Sequence, residues 1–245
     1  ETYRIITKHV FPSAICITDH FHVIQELNRR VDRVRIRVQN RFRKTINTLK
    51  PKENNKTITP EEIVELEEAS RYYYVLKKFN WLLFSTNKKI LDVNVDRKFN
   101  RTLNRYLNYS EILDFMLAID DELEDAFYLR NDVTYFYDHC TYDTAKKQLE
   151  KIIIDFRSSP IAEMSPFANT LTNWKREIIN SFIIVDDKAN RKMNTAIVEN
   201  RNKSIKLIKH ASNGYLNWER FRNRILYTLN EDTTFYYTSI RKDGK

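Results

Sequence analysis

Turn-forming residues are scarce in this sequence, which has only 2 Gly and 5 Pro among 245 residues. Folds made of many hairpins need Gly and Pro at their turns, so this scarcity argues against them and favours long helices. Disorder is also excluded, because 42% of the residues are hydrophobic and 13% are aromatic. That much apolar material is enough for a substantial core in one large domain, or in one domain with an insertion.

Cysteine and long apolar runs are also in short supply. The only cysteines, Cys16 and Cys140, lie far apart in the sequence, which argues against a disulfide framework and favours a reducing compartment. No run reaches the ~18 apolar residues of a membrane span, and residues 1–12 have no signal-peptide pattern. The sequence therefore predicts a cytoplasmic protein that is not secreted and has no membrane partner.

Positive charge exceeds negative charge by 9, and it is unevenly distributed. Residues 29–56 contain 11 basic and 2 acidic residues, and residues 188–245 contain 13 and 5. The intervening residues 57–187 contain 16 basic and 23 acidic residues. Two basic blocks around an acidic middle are typical of a protein with a polyanionic partner, most often nucleic acid. The alternative is that these Lys and Arg residues only solvate helix faces.

The stretch around Asp19 organises the rest of the chain. Ala14 to Thr18 form a short apolar, β-prone run after Pro12-Ser13, which predicts a buried strand. Asp19 would then lie at the carboxyl end of that strand, where α/β folds place catalytic or metal-binding carboxylates. Asp is also a good N-cap for the helix that starts near Phe21, so both interpretations stay open.

Helical periodicity predicts most of the chain that follows. Apolar residues from Phe21 to Val38 indicate a long helix that ends near Leu49, and Thr59-Pro60 marks the start of a second helix reaching Lys78. The aromatic run Phe79 to Ser85 predicts a second buried strand, with the end of the preceding helix as the alternative. Another helix, carrying Trp174, is expected within residues 166–184.

Residues 90–156 are expected to be helical almost throughout and to form an acidic helical insertion with its own apolar cluster, which would be a poor DNA surface. The predicted core residues there are Leu103, Tyr106, Leu107, Leu113, Phe115, Met116, Leu117, Leu123, Phe127, Tyr135 and Phe136.

The last informative segment combines a carboxylate with a ladder of cations. Within residues 193–229, a helical wheel places one polar arc that contains Glu199, Asn202, Lys203, Lys206, Lys209 and His210. Such a face would suit a metal-bound phosphodiester, although it would also suit an ordinary amphipathic helix. Gly214 is expected to cap this helix. A closing helix would then pack through Trp218, Phe221, Ile225 and Leu226 and expose Arg220, Arg222 and Arg224.

Three stretches occur in a suggestive order: DHFHV at 19–23, VENRNKSIKLIK at 198–209 and GYLNWERFRNRIL at 214–226. Together with Phe11-Pro12 they closely resemble the catalytic part of the DDE transposases of the ISL-three group of bacterial insertion sequences. The resemblance implies that Asp19 is the second catalytic carboxylate of an RNase-H-like fold and that Glu199 is the third. It covers nearly the whole chain, with only weak similarity over residues 88–160.

The resemblance also implies the chemistry and partners. Asp19 and Glu199 would be ligands of a two-metal Mg²⁺ or Mn²⁺ site that cleaves and transfers DNA strands, because hard cations prefer carboxylate oxygens. The expected phosphate contacts are Lys203, Lys206, Lys209, Arg220 and Arg224. His22 and Asn202 would support the motif, and for His22 the simpler interpretation is a structural role at the strand–helix junction. DNA is the expected partner, and a homo-oligomer is possible.

The sequence departs from the family pattern in ways that set further expectations. Asn200 replaces the usual Gly after the catalytic Glu, and Asn194-Thr195-Ala196 replaces a common Ser-Asn-Gly. A first catalytic Asp and an end-reading module were not identified, so we expect a C-terminal portion of a transposase that is inactive alone.

The fold class expected from these patterns is mixed α/β and mostly helical: a truncated RNase-H-like fold interrupted by a helical insertion. Its predicted parts are residues 1–86 with Asp19, 87–165 as the insertion, 166–230 with Glu199, and a tail at 231–245. The competing hypothesis is a non-catalytic helical nucleic-acid-binding protein, for which the basic blocks alone would suffice.

Overall fold

The computed structural model describes residues 6–7, 9–186, 191–192 and 196–230. Within them the protein is mostly helical, which confirms that part of the predicted fold class. The helices are α1 His20–Asn54, α2 Pro60–Lys78, α3 Tyr109–Leu117, α4 Asp121–His139, α5 Tyr142–Ser158, α6 Phe167–Asn173, α7 Lys175–Asn180, α8 Ala196–Ala211 and α9 Trp218–Leu229. The strands are β1 Lys98–Asn100, β2 Arg105–Leu107, β3 Ile184–Asp186 and β4 Arg191–Lys192.

Helix α1 is the spine of the first compact unit, and it packs mainly against α2 and α4. Its buried apolar residues recur at three- and four-residue steps, as the sequence predicted; they are Val23, Leu27, Val31, Val34 and Val38. The helix continues through Pro51 to Asn54, beyond the predicted end near Leu49. Pro51 has no N–H to donate within the helix, and the helix ends within one turn after it.

Helix α2 begins and ends where the sequence predicted. Thr59 and Glu62 form a capping box in which each side chain accepts from the other's backbone N–H. The predicted strand at Phe79 to Ser85 is wrong, since residues Asn80–Phe84 form a 3₁₀ helix directly after α2. The alternative, an end of the preceding helix, was closer. Leu82 and Leu83 are fully buried, so the apolar residues of this run serve the core and do not indicate a strand.

The strand predicted at Ala14 to Thr18 is also wrong. This segment has no strand partner among the described residues, and Ile15 is 54% exposed. Its backbone is held by the end of α7: the Thr18 N–H donates to the Glu177 carbonyl at 3.1 Å, and the Asn180 side chain donates to the Cys16 carbonyl at 2.9 Å. A short apolar run is compatible with several backbone conformations, and here the hydrogen bonds to α7 determine which one the segment adopts.

Residues 87–165 contain the β1–β2 hairpin followed by α3, α4 and α5, so helix is not continuous there. Their buried side chains belong to the same core as those of α1 and α2; the separate apolar cluster predicted for this segment is not found. Most predicted core residues are buried or half-buried, but Tyr106 and Tyr135 are 67% and 59% exposed. Tyr106 is exposed because it lies on a two-stranded hairpin with one open face. Tyr135 is exposed because its ring stacks on the exposed ring of His139.

Residues 166–186 form two short helices broken at Trp174, in place of the single predicted helix, and then strand β3. Strands β3 and β4 pair antiparallel. The described residues up to 192 belong to one compact unit. Its core is continuous across residues 86 and 165, where the domain boundaries were predicted, and those boundaries stay a prediction.

The second compact unit contains α8 and α9. Gly214 adopts φ +95° and its N–H donates to the Lys209 carbonyl, as expected for a helix C-cap. Asn217 caps α9 by accepting from the Arg220 N–H at 3.0 Å. The predicted packing through α9 is only partial: Phe221 and Ile225 are half-buried, whereas Trp218 and Leu226 are 68% and 52% exposed.

Candidate catalytic site and nucleic-acid interface

Asp19 ends the extended segment and begins α1. Its Oδ1 accepts from the Phe21 N–H at 2.8 Å, so the capping interpretation is confirmed. The side chain is only 9% exposed, and the Nδ1 atom of His20 lies 3.4 Å from the same carboxylate oxygen. The capping bond fixes the direction of a nearly buried carboxylate. Capping and metal binding are compatible, because a carboxylate has two oxygens and about four lone pairs.

Buried hydroxyl groups near Asp19 were not anticipated from the sequence. Burial raises the pKa of Tyr137 on α4, and the negative charge of Asp19 raises it further, so this phenol stays neutral. The hydroxyls of Tyr137 and Thr18 are buried without a hydrogen-bond partner in the described part of the chain. Buried polar groups normally have partners, so each marks a place that a water, an ion or another residue would fill.

His22 lies in the first turn of α1 and is exposed. It edges a small cavity of about 240 Å³ together with Thr18, Glu26, Trp174 and Ile178. The His22 backbone N–H donates to the Asp19 carbonyl, which ties the residue to the helix start. The structure therefore places His22 beside the Asp19 segment, and its structural role stays a prediction.

The first basic block is partly neutralised within the protein, because six of its 11 basic residues form ion pairs among the described residues. Arg37 donates to Glu163 at 2.7 Å and to Glu122 at 2.5 Å, and Arg41 donates to Asp120 at 2.7 Å. Hydrogen bonding to Arg37 holds the pKa of Glu163 below its usual value, so the pair stays ionised near neutral pH. The acidic middle of the chain therefore supplies counterions for α1, which leaves less of this block for a polyanion.

One arginine of the block is structural. Arg35 is 6% exposed and donates to Asp32, to Gln39 and to the Leu76 carbonyl on α2. These hydrogen bonds offset the free-energy cost of burying the guanidinium, and they join α1 to α2. Further ion pairs in the block join Arg29 and Arg30 to Glu26, and Lys52 to Glu62.

The second unit presents its cations differently. The predicted DNA-binding side chains on α8 and α9 are all exposed, and none has an ion-pair partner among the residues that the structure describes; they are Lys203, Lys206, Lys209, Arg220 and Arg224. Arg220 and Arg224 line one shallow groove with Asn223 and Tyr227. Glu199 lies in the first turn of α8 and is exposed, as is Asn202. This unit therefore has the unneutralised positive surface that a phosphate backbone needs.

A comparison with known protein families matches residues 1–225 to the model of the ISL-three (ISL3) group of DDE transposases, described as "Transposase". The chain belongs to this transposase family. The match spans both the Asp19 segment and the α8–α9 unit, and it makes DNA the partner of the family's activity. No curated protein and no solved structure matched the chain.

The transposase places its two predicted carboxylates in different compact units, Asp19 in the first and Glu199 in the second. Their convergence stays a prediction. No group of three His, Cys, Asp or Glu side chains able to hold a metal ion occurs in the described ranges. Carboxylate oxygens such as those of Asp19 suit Mg²⁺ or Mn²⁺, but one carboxylate and two unpaired hydroxyl groups are too few ligands to form a metal site alone.

None of the described helices is long and apolar enough to cross a membrane.

Three residues at Asp19 escaped the sequence analysis for identifiable reasons. Tyr137 approaches from α4 with no motif of its own. Glu177 is 3% exposed and meets the segment through its backbone, which no side-chain pattern encodes. His20 could have been found, since it directly follows Asp19 and lies in the same DHFHV stretch.

Proposed function

We propose that this chain provides the second and third carboxylates of a DDE transposase, Asp19 and Glu199, which hold Mg²⁺ or Mn²⁺ for DNA strand cleavage and transfer. The observation that carries the proposal is the family match over residues 1–225, which includes both motifs. Bound metal would activate the attacking oxygen and stabilise the leaving one. The RNase-H-like arrangement of the two motifs is part of this proposal.

The geometry at Asp19 supports the assignment. A carboxylate that contributes to metal binding works best when its direction is fixed before the ion arrives. The capping bond to Phe21 and the low exposure of Asp19 provide that rigidity. The orphaned hydroxyls of Thr18 and Tyr137 provide polar groups beside it that an ion's hydration shell could satisfy.

The roles of the cations follow from their pairing. Lys203, Lys206 and Lys209 on α8, with Arg220 and Arg224 on α9, contact DNA phosphates without reading sequence. Arg37 and Arg41, by contrast, hold the fold together. Asn202 and His22 support their respective motifs and do not touch the reacting phosphate.

These 245 residues alone bind DNA non-specifically and do not cut it, because the resemblance accounts for two of the family's three carboxylates. Loss of one member of a group that acts together removes most of the rate. The test is nicking of supercoiled plasmid with Mg²⁺ or Mn²⁺. Robust nicking that is abolished by Asp19→Asn or Glu199→Gln would show that the chain contains a third ligand and would refute the inactivity.

A second candidate is a non-catalytic nucleic-acid-binding role. It is favoured by the capping function of Asp19, which accounts for the residue without any metal. Mn²⁺ binding separates the two. The catalytic proposal predicts that Asp19→Asn and Glu199→Gln each weaken Mn²⁺ binding, measured by electron paramagnetic resonance of the free ion. Unchanged Mn²⁺ binding in both variants would leave the non-catalytic role.

A further inference from the structure

The β1–β2 hairpin carries an exposed pair of aromatic rings. Phe99 and Tyr106 face each other across the strands, with ring centroids 5.1 Å apart and an interplanar angle of 52°. They are 49% and 67% exposed, so they contribute little to the core. Adjacent large aromatic side chains left in solvent on a short hairpin indicate a binding surface.

Unpaired cations surround these rings. Lys98, Arg101 and Arg105 are exposed and have no ion-pair partner among the described residues. Residues 88–109 contain 6 basic and 2 acidic residues, although the larger segment 57–187 is acidic overall. The average over that segment conceals a local positive surface at the hairpin. The prediction that the acidic helical insertion is a poor DNA surface stays a prediction.

The hairpin is held in place by its own anchors, which leaves its exposed face free for binding. Leu103 in the loop is 8% exposed and joins the main core. Asn108 is buried and donates to the Val93 and Val95 carbonyls at the base of the hairpin, and Arg97 pairs with Glu111 on α3. Neither Phe99 nor Tyr106 takes part in these contacts. Binding to a surface fixed in this way loses little conformational entropy.

A cavity of about 580 Å³ opens beneath the hairpin, lined by Phe99, Lys98 and Arg101 on one side and by Tyr74, Lys78 and Phe79 on the other. The Lys78 ammonium lies 5.2 Å from the Tyr74 ring and 5.7 Å from the Phe79 ring. Asp96 also lines the cavity, so cations outnumber carboxylates there three to one. The volume falls within the range of small-ligand pockets, which is enough for one nucleotide.

We propose that the Phe99–Tyr106 hairpin and the cavity beneath it bind unpaired DNA bases, by stacking on the rings and by contacts of Lys98, Arg101 and Arg105 with phosphates. Ring faces are accessible only to bases that have left the double helix, so the site selects single-stranded DNA over duplex. The inference depends on the transposase assignment only for choosing DNA as the polyanion, because the hairpin contains neither Asp19 nor Glu199.

The test compares three fluorescein-labelled DNAs by anisotropy with the full chain: a single strand, its blunt duplex, and that duplex with a single-stranded tail. Phe99→Leu/Tyr106→Leu should weaken binding to the single strand and the tailed duplex by about fivefold or more, with little effect on the blunt duplex. Leu keeps apolar bulk while removing the rings. Tyr128→Ala, at an exposed tyrosine on α4, is the matched control and should change nothing.

Phosphate contacts are tested separately. Arg101→Ala/Arg105→Ala should lower the salt dependence on single strands, with a change in the slope of log K against log salt of about 1.4. Lys146→Ala/Lys147→Ala, at exposed positions on α5, should leave the slope unchanged. A strand containing 2-aminopurine gives a direct readout, because its fluorescence is quenched when it stacks on the native hairpin and recovers in the Leu variant.

Equal weakening on all three DNAs, no weakening, or no 2-aminopurine quenching would overturn the proposal. Its failure is distinguishable from failure of the catalytic proposal. If Asp19→Asn abolishes Mn²⁺ binding while the hairpin variants behave as the control does, only the hairpin inference falls. If the hairpin discriminates single strands while Asp19→Asn keeps Mn²⁺ affinity, only the assignment of Asp19 falls.

Discussion

Replacing Asp19 by Asn and by Ala separates its two roles. Asp19 caps α1 through a 2.8 Å bond from the Phe21 N–H. Asn caps helices about as well as Asp, whereas Ala cannot accept the bond. The carboxylate charge, which a metal ion requires, is lost in both variants. The pair of substitutions therefore changes stability and metal binding independently.

The magnitudes follow from the contacts. Loss of an N-cap in Asp19→Ala should cost about 1 kcal/mol of unfolding free energy, which lowers the Tm by about 2–4 °C for a protein of this size. Asp19→Asn keeps the cap and loses the carboxylate charge, whose interaction with the helix dipole is worth about 0.3–1 kcal/mol. Mn²⁺ binding should fall equally in both variants, because Asn is a poor substitute for a carboxylate.

Calorimetry gives the Tm, and electron paramagnetic resonance gives Mn²⁺ affinity. Thr59→Ala is the matched control, because it removes the cap of α2 with a similar loss of stability but should leave Mn²⁺ binding intact. Native Mn²⁺ affinity in Asp19→Asn would rule out the metal-binding role of Asp19, and native stability in Asp19→Ala would rule out its capping role.

Two further predictions concern the charges. The pKa of Glu163 is lowered by hydrogen bonding to Arg37, so its stabilising effect is present above the usual Glu pKa of about 4.3 and is lost as pH falls through the lower value in the folded protein. In urea unfolding from pH 7 to pH 2, Glu163→Gln should be about 1 kcal/mol less stable than the native protein at pH 7, a small effect because solvent partly screens this partly exposed pair. Its free energy of unfolding should also change less between pH 7 and pH 2. Exposed Glu65→Gln is the control, and parallel profiles for Glu163→Gln and the native protein would contradict the pairing. In a salt titration on duplex DNA, Lys203→Ala/Lys206→Ala/Lys209→Ala should reduce the slope of log K against log salt by up to about 2.7. Arg41→Ala should leave that slope unchanged, because the Arg41 side chain is ion-paired. Equal effects would refute the division between structural and DNA-binding cations.

Local chemistry was the part of the fold that could be predicted from sequence. The start of α2 is encoded in Thr59-Pro60-Glu61-Glu62, and the cap at Asp19 and the C-cap at Gly214 rest on equally local signals. The buried face of α1 follows from apolar spacing alone. These features need no knowledge of what lies across the core.

The predictions were wrong or left open where a residue distant in the sequence determines the local structure or the role of a side chain. Ala14 to Thr18 would have been a strand had another strand been available, but the end of α7 takes its hydrogen bonds. The basic block on α1 could not be assigned to DNA or to the fold without knowing that Glu122 and Glu163 lie opposite Arg37. Charge averaged over a long segment likewise concealed the basic hairpin at Lys98 to Leu107.

A single metal centre held by Asp19 and Glu199 should be visible in crystals of the chain soaked with Mn²⁺ and measured at the manganese absorption edge. We expect an anomalous peak within coordination distance of both carboxylates, or two peaks about 4 Å apart that share them. Ordered Asp19 and Glu199 carboxylates separated by well over roughly 10 Å, with no peak at either, would contradict it.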